Sequence, residues 1–366
     1  MLARTLRHPH IAEALRWERD AEPLDRRTVA IAALGMAVPA LLGLALGRPE
    51  IGFTIGLGAM LLAGGPAQPG VANETPAPTA AILPAALAVL IATSIAGAAW
   101  SDAAMIALAG AAAAVSGYSR PLAVAAIRFI IYLVLSVSLI DGAAGHRGAV
   151  ALIFGSGALW NVAIRLLLAR RRPAAPLAEP ARTVTPAQRR AHWKWSMRTL
   201  AGWQFPIRLV LGLGVASALR HVWPAHHYGW IVLTVALLTQ RPLEAVPVKT
   251  LQRALGTALG VALTWLILTG LAAPGPLAVV ICILATGASL ARSRNYLAYA
   301  VLATPVILLV LDIGKAVEPA LLIDRLVATL VAAAIVVATN LVLGRWVTPE
   351  APRSMRNPDD GRPRGS

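Results

Sequence analysis

The chain of 366 residues has little of what water-soluble catalysts are built from. It holds one cysteine, Cys282, which excludes an intrachain disulfide and a cysteine metal cluster; its place in an apolar run reads as a buried small hydrophobe. Charged residues make up only 14%, and acids are the scarcer sign, 17 against 33 lysines and arginines. No glycine-rich phosphate loop ending in Gly-Lys-Ser or Gly-Lys-Thr occurs, and no HExxH, GxSxG or CxxC. ATP-driven transport and hydrolysis at a recognised type of site are therefore without support. The expectation is a protein that is not an enzyme and carries neither cofactor nor metal.

What is abundant is apolar. Hydrophobic residues reach 57% and the mean hydropathy is +0.68, so most of the surface cannot face water and the bilayer is the solvent. A net charge of +16 would suggest nucleic acid in a soluble domain, but here the cations sit in particular loops, and no nucleic-acid partner is expected.

The sequence also repeats itself. Val29 to Pro66 aligns without a gap on Phe205 to Pro242, an offset of 176 residues. Ser119 to Ala123 matches Ser293 to Leu297 at an offset of 174, and Leu166 to Arg170 matches Leu341 to Arg345 at 175. A repeat of that length in so apolar a chain predicts a bundle of membrane helices. Apolar runs divide the chain into twelve candidate spans: 28–47, 51–66, 79–98, 102–117, 120–140 and 146–168, then 206–222, 227–240, 252–271, 276–291, 296–314 and 320–344. Several are shorter than the roughly 20 residues of a perpendicular span and are expected to borrow interfacial residues or to sit inside the bundle. Six spans per half bring both halves in from the same side, so the predicted fold is all-α, two parallel six-helix repeats.

Lysines and arginines fit that layout. Loops assigned to the cytoplasm hold 25 of the 33, the opposite side has only Arg48, Arg147, Arg220 and Lys315, and Arg128, Arg165, Arg208 and Arg325 fall inside spans. The asymmetry predicts both termini in the cytoplasm of a bacterial cell membrane. Residues 1–27 form a cytoplasmic segment too charged for a signal peptide, so no cleavage is expected. The predicted membrane repeats are 28–168 and 206–344, joined by a basic linker over 169–205, with a disordered tail over 345–366. In the linker Arg189, Arg190, Lys194 and Arg198 interleave with Trp193, Trp195 and Trp203, which is either an amphipathic helix on the anionic inner leaflet or an ordinary basic connection.

Ionisable residues inside spans are the best pointers to function, since a charge at the bilayer centre costs roughly 2.5–3.5 kcal/mol even on the lenient insertion scale. Arg128 is the deepest, and Tyr132 and Ser136 follow at steps of four, giving one slowly turning stripe. The stripe either lines a route for an organic anion or belongs to an arginine that snorkels or bonds a neighbouring helix. Asn161, Arg165 and Asn340 form a weaker set, with Arg165 expected to snorkel and Asn161 to tie helices. Asp324 is the natural candidate for proton coupling, and Arg325 beside it is expected to neutralise it or to bind other helices. His226 and His227 point apart on a helix, so with Tyr228 and Trp230 they read as an interfacial belt. Gly256 with Gly260, and Gly52 with Gly56, are small-xxx-small pairs suited to close helix contact.

The stretch from Tyr228 to Val261 resembles the signature of the fusaric-acid-resistance-like membrane proteins, relatives of the aromatic acid exporters. The shared elements are a Trp-led apolar helix (Trp230), a loop opening on Pro242, then Arg253 before Gly256, Thr257 and Gly260. The first repeat has lost the Arg and the Gly-Thr. The resemblance implies export of small organic anions, aromatic carboxylates among them, with a broader likeness to plant anion channels. The loop holding Arg241, Lys249 and Arg253 is expected to form a basic collar at the inner mouth of the second bundle, gathering anions or serving as topology signal alone. The expected partners are the lipid bilayer and a small organic anion; an anion channel and a non-transporting scaffold remain alternatives, and a homo-oligomer is left open.

Overall fold

The computed structural model describes residues 26–63, 78–141, 146–168, 185–223, 229–239, 241, 245–271, 273–292, 294–311 and 319–347. The predicted N-terminal segment as far as 25, the first part of the linker, the tail beyond 347, and His226, His227 and Tyr228 lie outside the described residues. Among the described residues the chain is all-helical. The helices are α1 (Arg26–Ala45), α2 (Pro49–Ala63), α3 (Pro78–Ile95), α4 (Ser101–Val115), α5 (Arg120–Asp141), α6 (Arg147–Leu167), α7 (Pro186–Ser196), α8 (Leu200–Val222), α9 (Gly229–Leu238), α10 (Ala245–Gly270), α11 (Pro274–Ala291), α12 (Tyr296–Leu311) and α13 (Pro319–Val347). Helices are the expected outcome for these runs, because a backbone in lipid must satisfy its own polar groups.

Six helices, α1, α5, α6, α8, α10 and α13, are long and apolar enough to cross a membrane, and α2, α3, α4, α9, α11 and α12 are shorter apolar helices. The outer surface is itself apolar: Leu46, Leu152 and Leu167 are 75–79% exposed, an arrangement suited to lipid and costly in water. The linker helix α7 has no buried residue and opens with a capping box between Thr185 and Gln188. It does not float free. Trp193 Nε1 donates to the Ala114 carbonyl at the end of α4 (3.1 Å), and its ring meets Tyr118 edge-on, while Trp195 and the cations around it stay exposed.

Helix contacts recur between the two halves. In the first, α1 packs on α2, α2 on α6, α3 on α5 and α6, α4 on α5, and α1 on α6. In the second, α8 packs on α9, α9 on α13, α10 on α12 and α13, α11 on α12, and α8 on α13, which are the same pairs by order. Between halves, α1 meets α11 as α8 meets α4, and α2 meets α12 as α9 meets α5. Glycines set the closest approaches. A Cβ on Gly52 would stand 2.2 Å from the Pro39 carbonyl and one on Gly56 would strike Met36, while on Gly256 and Gly260 it would meet Ala300 and Thr304 of α12 at 2.5 and 2.6 Å. Cys282 is a free, half-buried thiol on α11.

One boundary differs in a way that matters. The sequence reading assigns Lys249 and Arg253 to the loop that leads into a span starting at 252, whereas α10 begins at Ala245 and carries both. Pro247 is no obstacle to this start, since proline in a first turn removes an N–H that has no intrahelical partner anyway.

Candidate functional site

Buried arginines in this fold divide by whether their nitrogens find partners. Three are structural. Arg165 Nε donates to Asn161 Oδ1 (2.8 Å), and Asn161 Nδ2 donates to the Ala59 carbonyl (3.1 Å). Arg208, fully buried on α8, donates to Asn340 Oδ1 (2.6 Å) and to the Arg241 carbonyl (3.1 Å). Arg292, just after α11, donates to the Leu61 carbonyl (3.2 Å). These contacts gather near two C-terminal ends: Asn161 and Arg292 reach carbonyls in the last turns of α2, and Arg208 reaches a carbonyl just beyond α9, where a cation also matches the negative end of the helix dipole. Asn161, Arg165 and Asn340 thus hold helix ends.

Tyr132 belongs to the same system. It is buried, its hydroxyl donates to the Gly58 carbonyl (2.9 Å), and its ring lies 5.5 Å from Phe154. Its one donor is occupied, so within the Arg128–Tyr132–Ser136 stripe only the ends are free: Arg128 Nε and Ser136 Oγ are buried without a hydrogen-bond partner. Arg128 lies within electrostatic reach of Tyr132 and Arg292.

The predicted collar separates. Arg241 is exposed and stands beside Gly117 and Trp193 at the α4 end. Lys249 lies over the Tyr296 ring at 5.6 Å. Arg253 is buried inside the second half, 1% exposed, with Nε unpartnered. Its surroundings are the least expected feature of the molecule. Arg325 of α13 is fully buried, none of its three nitrogens has a hydrogen-bond partner, and its guanidinium sits 4.0 Å from the centroid of Trp230 on α9. Arg253, Tyr296 and Tyr299 are within electrostatic reach of it, and Arg292 lies over Tyr299 at 5.3 Å. Arg292 also reaches Arg128, Lys249 and Tyr296, so the basic groups of both halves are continuous through it.

Magnitudes show how unbalanced Arg325 is. A desolvated cation–π contact contributes about 2 kcal/mol. Each buried donor left unmade costs about 1–3 kcal/mol, more when charged, and a guanidinium has five N–H groups that stay protonated. Asp324 does not relieve it. That carboxylate is half-buried on α13, but side chains at adjacent helical positions point about 100° apart, and no hydrogen bond joins the two. Of the two readings of Arg325, the contact with another helix is the one seen, through Trp230 of α9. A different acid, Asp102 in the first turn of α4, is paired: it accepts from Ser217, from Arg220 (2.5 Å) and contacts His221 (2.8 Å), tying α4 to α8. Sequence reading passes over Asp102 because its partners come from a distant helix, and it finds Arg325 but not the Trp230 ring that meets it.

Residues 212–339 match the sequence model of a family described as fusaric acid resistance protein-like. Through this segment, about a third of its length, the chain is similar to that family. The match runs from within α8 to near the end of α13 and contains Trp230, Arg253, Tyr296, Tyr299 and Arg325. No curated protein and no solved structure matches the chain. The match together with the apolar helices supports a multi-pass membrane protein.

Proposed function

We propose that the chain exports small organic anions, with aromatic carboxylates as the leading class, across a bacterial plasma membrane. The observation that carries the reading is a set of arginines within the helices, the half-buried Arg128 and the buried Arg253 and Arg325, each with at least one buried unpartnered nitrogen and none hydrogen-bonded to a carboxylate among the described residues. In a membrane interior such cations are expensive unless a mobile anion or water completes them. Arg128 and Ser136 offer the first contacts in one half, with Tyr132 holding their helix, and Arg253 with Lys249 offers them in the other; Arg241 gathers anions at the surface. Asp324 is the proposed proton-coupling acid. No cofactor is required, and no enzymatic step or nucleic acid is involved.

The test is uptake into proteoliposomes of a panel of labelled aromatic carboxylates, with and without a pH gradient. Accumulation against a concentration gradient supports an exporter, ohmic anion current alone means a channel, and neither activity refutes transport.

The proposed topology has twelve spans in two parallel repeats, both termini inside. It is supported by the recurring helix pairs and by the lysine and arginine asymmetry. With Cys282 replaced by serine, a cysteine at Ala149 is expected to react with an impermeant maleimide in intact cells, and one at Ala187 only after the inner face is opened. Labelling of Ala187→Cys from outside would mean an odd number of spans before the linker and would overturn parallel repeats.

A further inference from the structure

We propose that Arg325 anchors an oxyanion-binding site between α9, α10, α12 and α13, a site that takes a carboxylate as a largely dehydrated ion; the assignment of that site to cargo rests on the anion-export reading. Buried side-chain atoms without partners are not spread evenly. Among the described residues, eight of the twelve such atoms lie on these four helices, where α10 packs on α9, α12 and α13 and α9 packs on α13: Thr234, Thr250, Arg253 Nε, Thr257, Tyr296 and all three nitrogens of Arg325. On α10 they fall at Thr250, Arg253 and Thr257, steps of three and four that put them on one face. Thr234 lies one turn beyond Trp230 on α9.

The chemistry of this seam is that of donors. Arg325 and Arg253 supply only N–H groups, Tyr296 and the threonines can each donate a hydroxyl hydrogen, and among the described residues no carboxylate bonds to either arginine. A cation is repelled by such a seam, and a neutral solute leaves two positive charges uncompensated. An oxyanion meets every requirement, and a planar carboxylate matches the guanidinium fork with two parallel hydrogen bonds. Trp230 covers one side of Arg325, while Tyr296 and Tyr299, with ring centroids 5.7 Å apart, give an apolar wall for the organic part of the ligand. Arg253 and Arg325 repel one another within electrostatic reach. Binding an anion removes that repulsion, so the bound state is the relaxed one.

The full chain in detergent, titrated with benzoate by calorimetry at constant ionic strength, tests the site independently of flux; benzyl alcohol is the uncharged counterpart. The expected result is saturable benzoate binding and none of benzyl alcohol. Arg325→Met is expected to weaken benzoate binding at least about tenfold while the melting temperature of the ligand-free protein stays level or rises, since a buried uncompensated charge has gone. A merely structural arginine would lower it. Tyr296→Phe, which deletes a hydroxyl that lies beside Arg253 and still has its hydrogen to donate, is expected to weaken binding roughly fivefold and decides the matter if Arg325→Met does not fold. Arg189→Met, on the exposed face of α7, is the unaffected control. Wild-type protein that transports but shows no saturable benzoate binding, or variants that bind as wild type, overturn the site and leave the export reading standing. Binding with these dependences but without flux upholds the site and overturns export.

Discussion

Gly157→Leu is expected to leave almost no folded protein in the membrane. Gly157 on α6 faces α2 so closely that even a Cβ would stand 2.1 Å from the Ile55 carbonyl and 2.8 Å from the Ala59 nitrogen. Across the same interface a Cβ on Gly58 would lie 2.4 Å from the Phe154 carbonyl. These obstacles are backbone atoms, so no rotamer change relieves them and the helices must part. Overpacking a core usually costs about 1–3 kcal/mol, and here the separation also stretches bonds that depend on the approach, Asn161 to Ala59 and Tyr132 to Gly58. Those are the partners of the α2 carbonyls, and in lipid no water replaces them. Gly214→Leu on α8, where nothing lies within 4 Å, is the matched control and should be neutral. Membrane abundance and a gel-filtration profile measure both. A Gly157→Leu protein with wild-type abundance and melting temperature would show that α2 and α6 do not pack as described.

Particular residues show how much of this was legible in the sequence. The existence of the apolar helices was legible, because runs of Ala, Leu, Val and Ile between loops rich in Arg, Gly and Pro have few other solutions in lipid. The ungapped alignment of Val29–Pro66 on Phe205–Pro242 is the sequence counterpart of the helix pairs that recur in the same order in the two halves. What hydropathy could not read was the fate of each buried cation. Arg208 and Arg325 look alike in sequence, both single arginines in apolar spans, yet one is completed by Asn340 and a carbonyl beyond α9 and the other by nothing but a tryptophan ring. The difference is made by residues from other helices, at separations no local pattern encodes. Arg253 was misplaced for a local reason: the Pro242–Pro247 stretch reads as loop, and the helix begins within it. Tyr132 falls on a stripe that the sequence leaves open between an anion route and helix bonding, and its hydroxyl bonds the Gly58 carbonyl of α2, a partner far away in sequence.

Arg128→Gln is expected to insert and fold like wild type and to lose anion flux by roughly tenfold or more, the size of effect that follows from removing one charge-assisted contact in a poorly hydrated route. The argument starts from what surrounds the guanidinium. Arg128 is half-buried, its Nε is unpartnered, and its electrostatic neighbours are a tyrosine and another arginine. Removing the charge therefore breaks no ion pair and relieves repulsion from Arg292, so loss of flux in a stable protein isolates the contact with the moving anion. Arg128→Lys should keep part of the flux, since the charge persists while the planar donor fork is lost. Tyr132→Phe separates the two roles on the same helix: it deletes the bond to the Gly58 carbonyl and leaves the charge, so its main effect should fall on melting temperature and its flux per folded molecule should stay within about threefold, the weight of one ordinary hydrogen bond. Flux through Arg128→Gln at the wild-type rate would reduce Arg128 to a snorkelling residue. Failure of that variant to reach the membrane would make its role structural, because a charge that no anion needs should be easier to insert once it is gone.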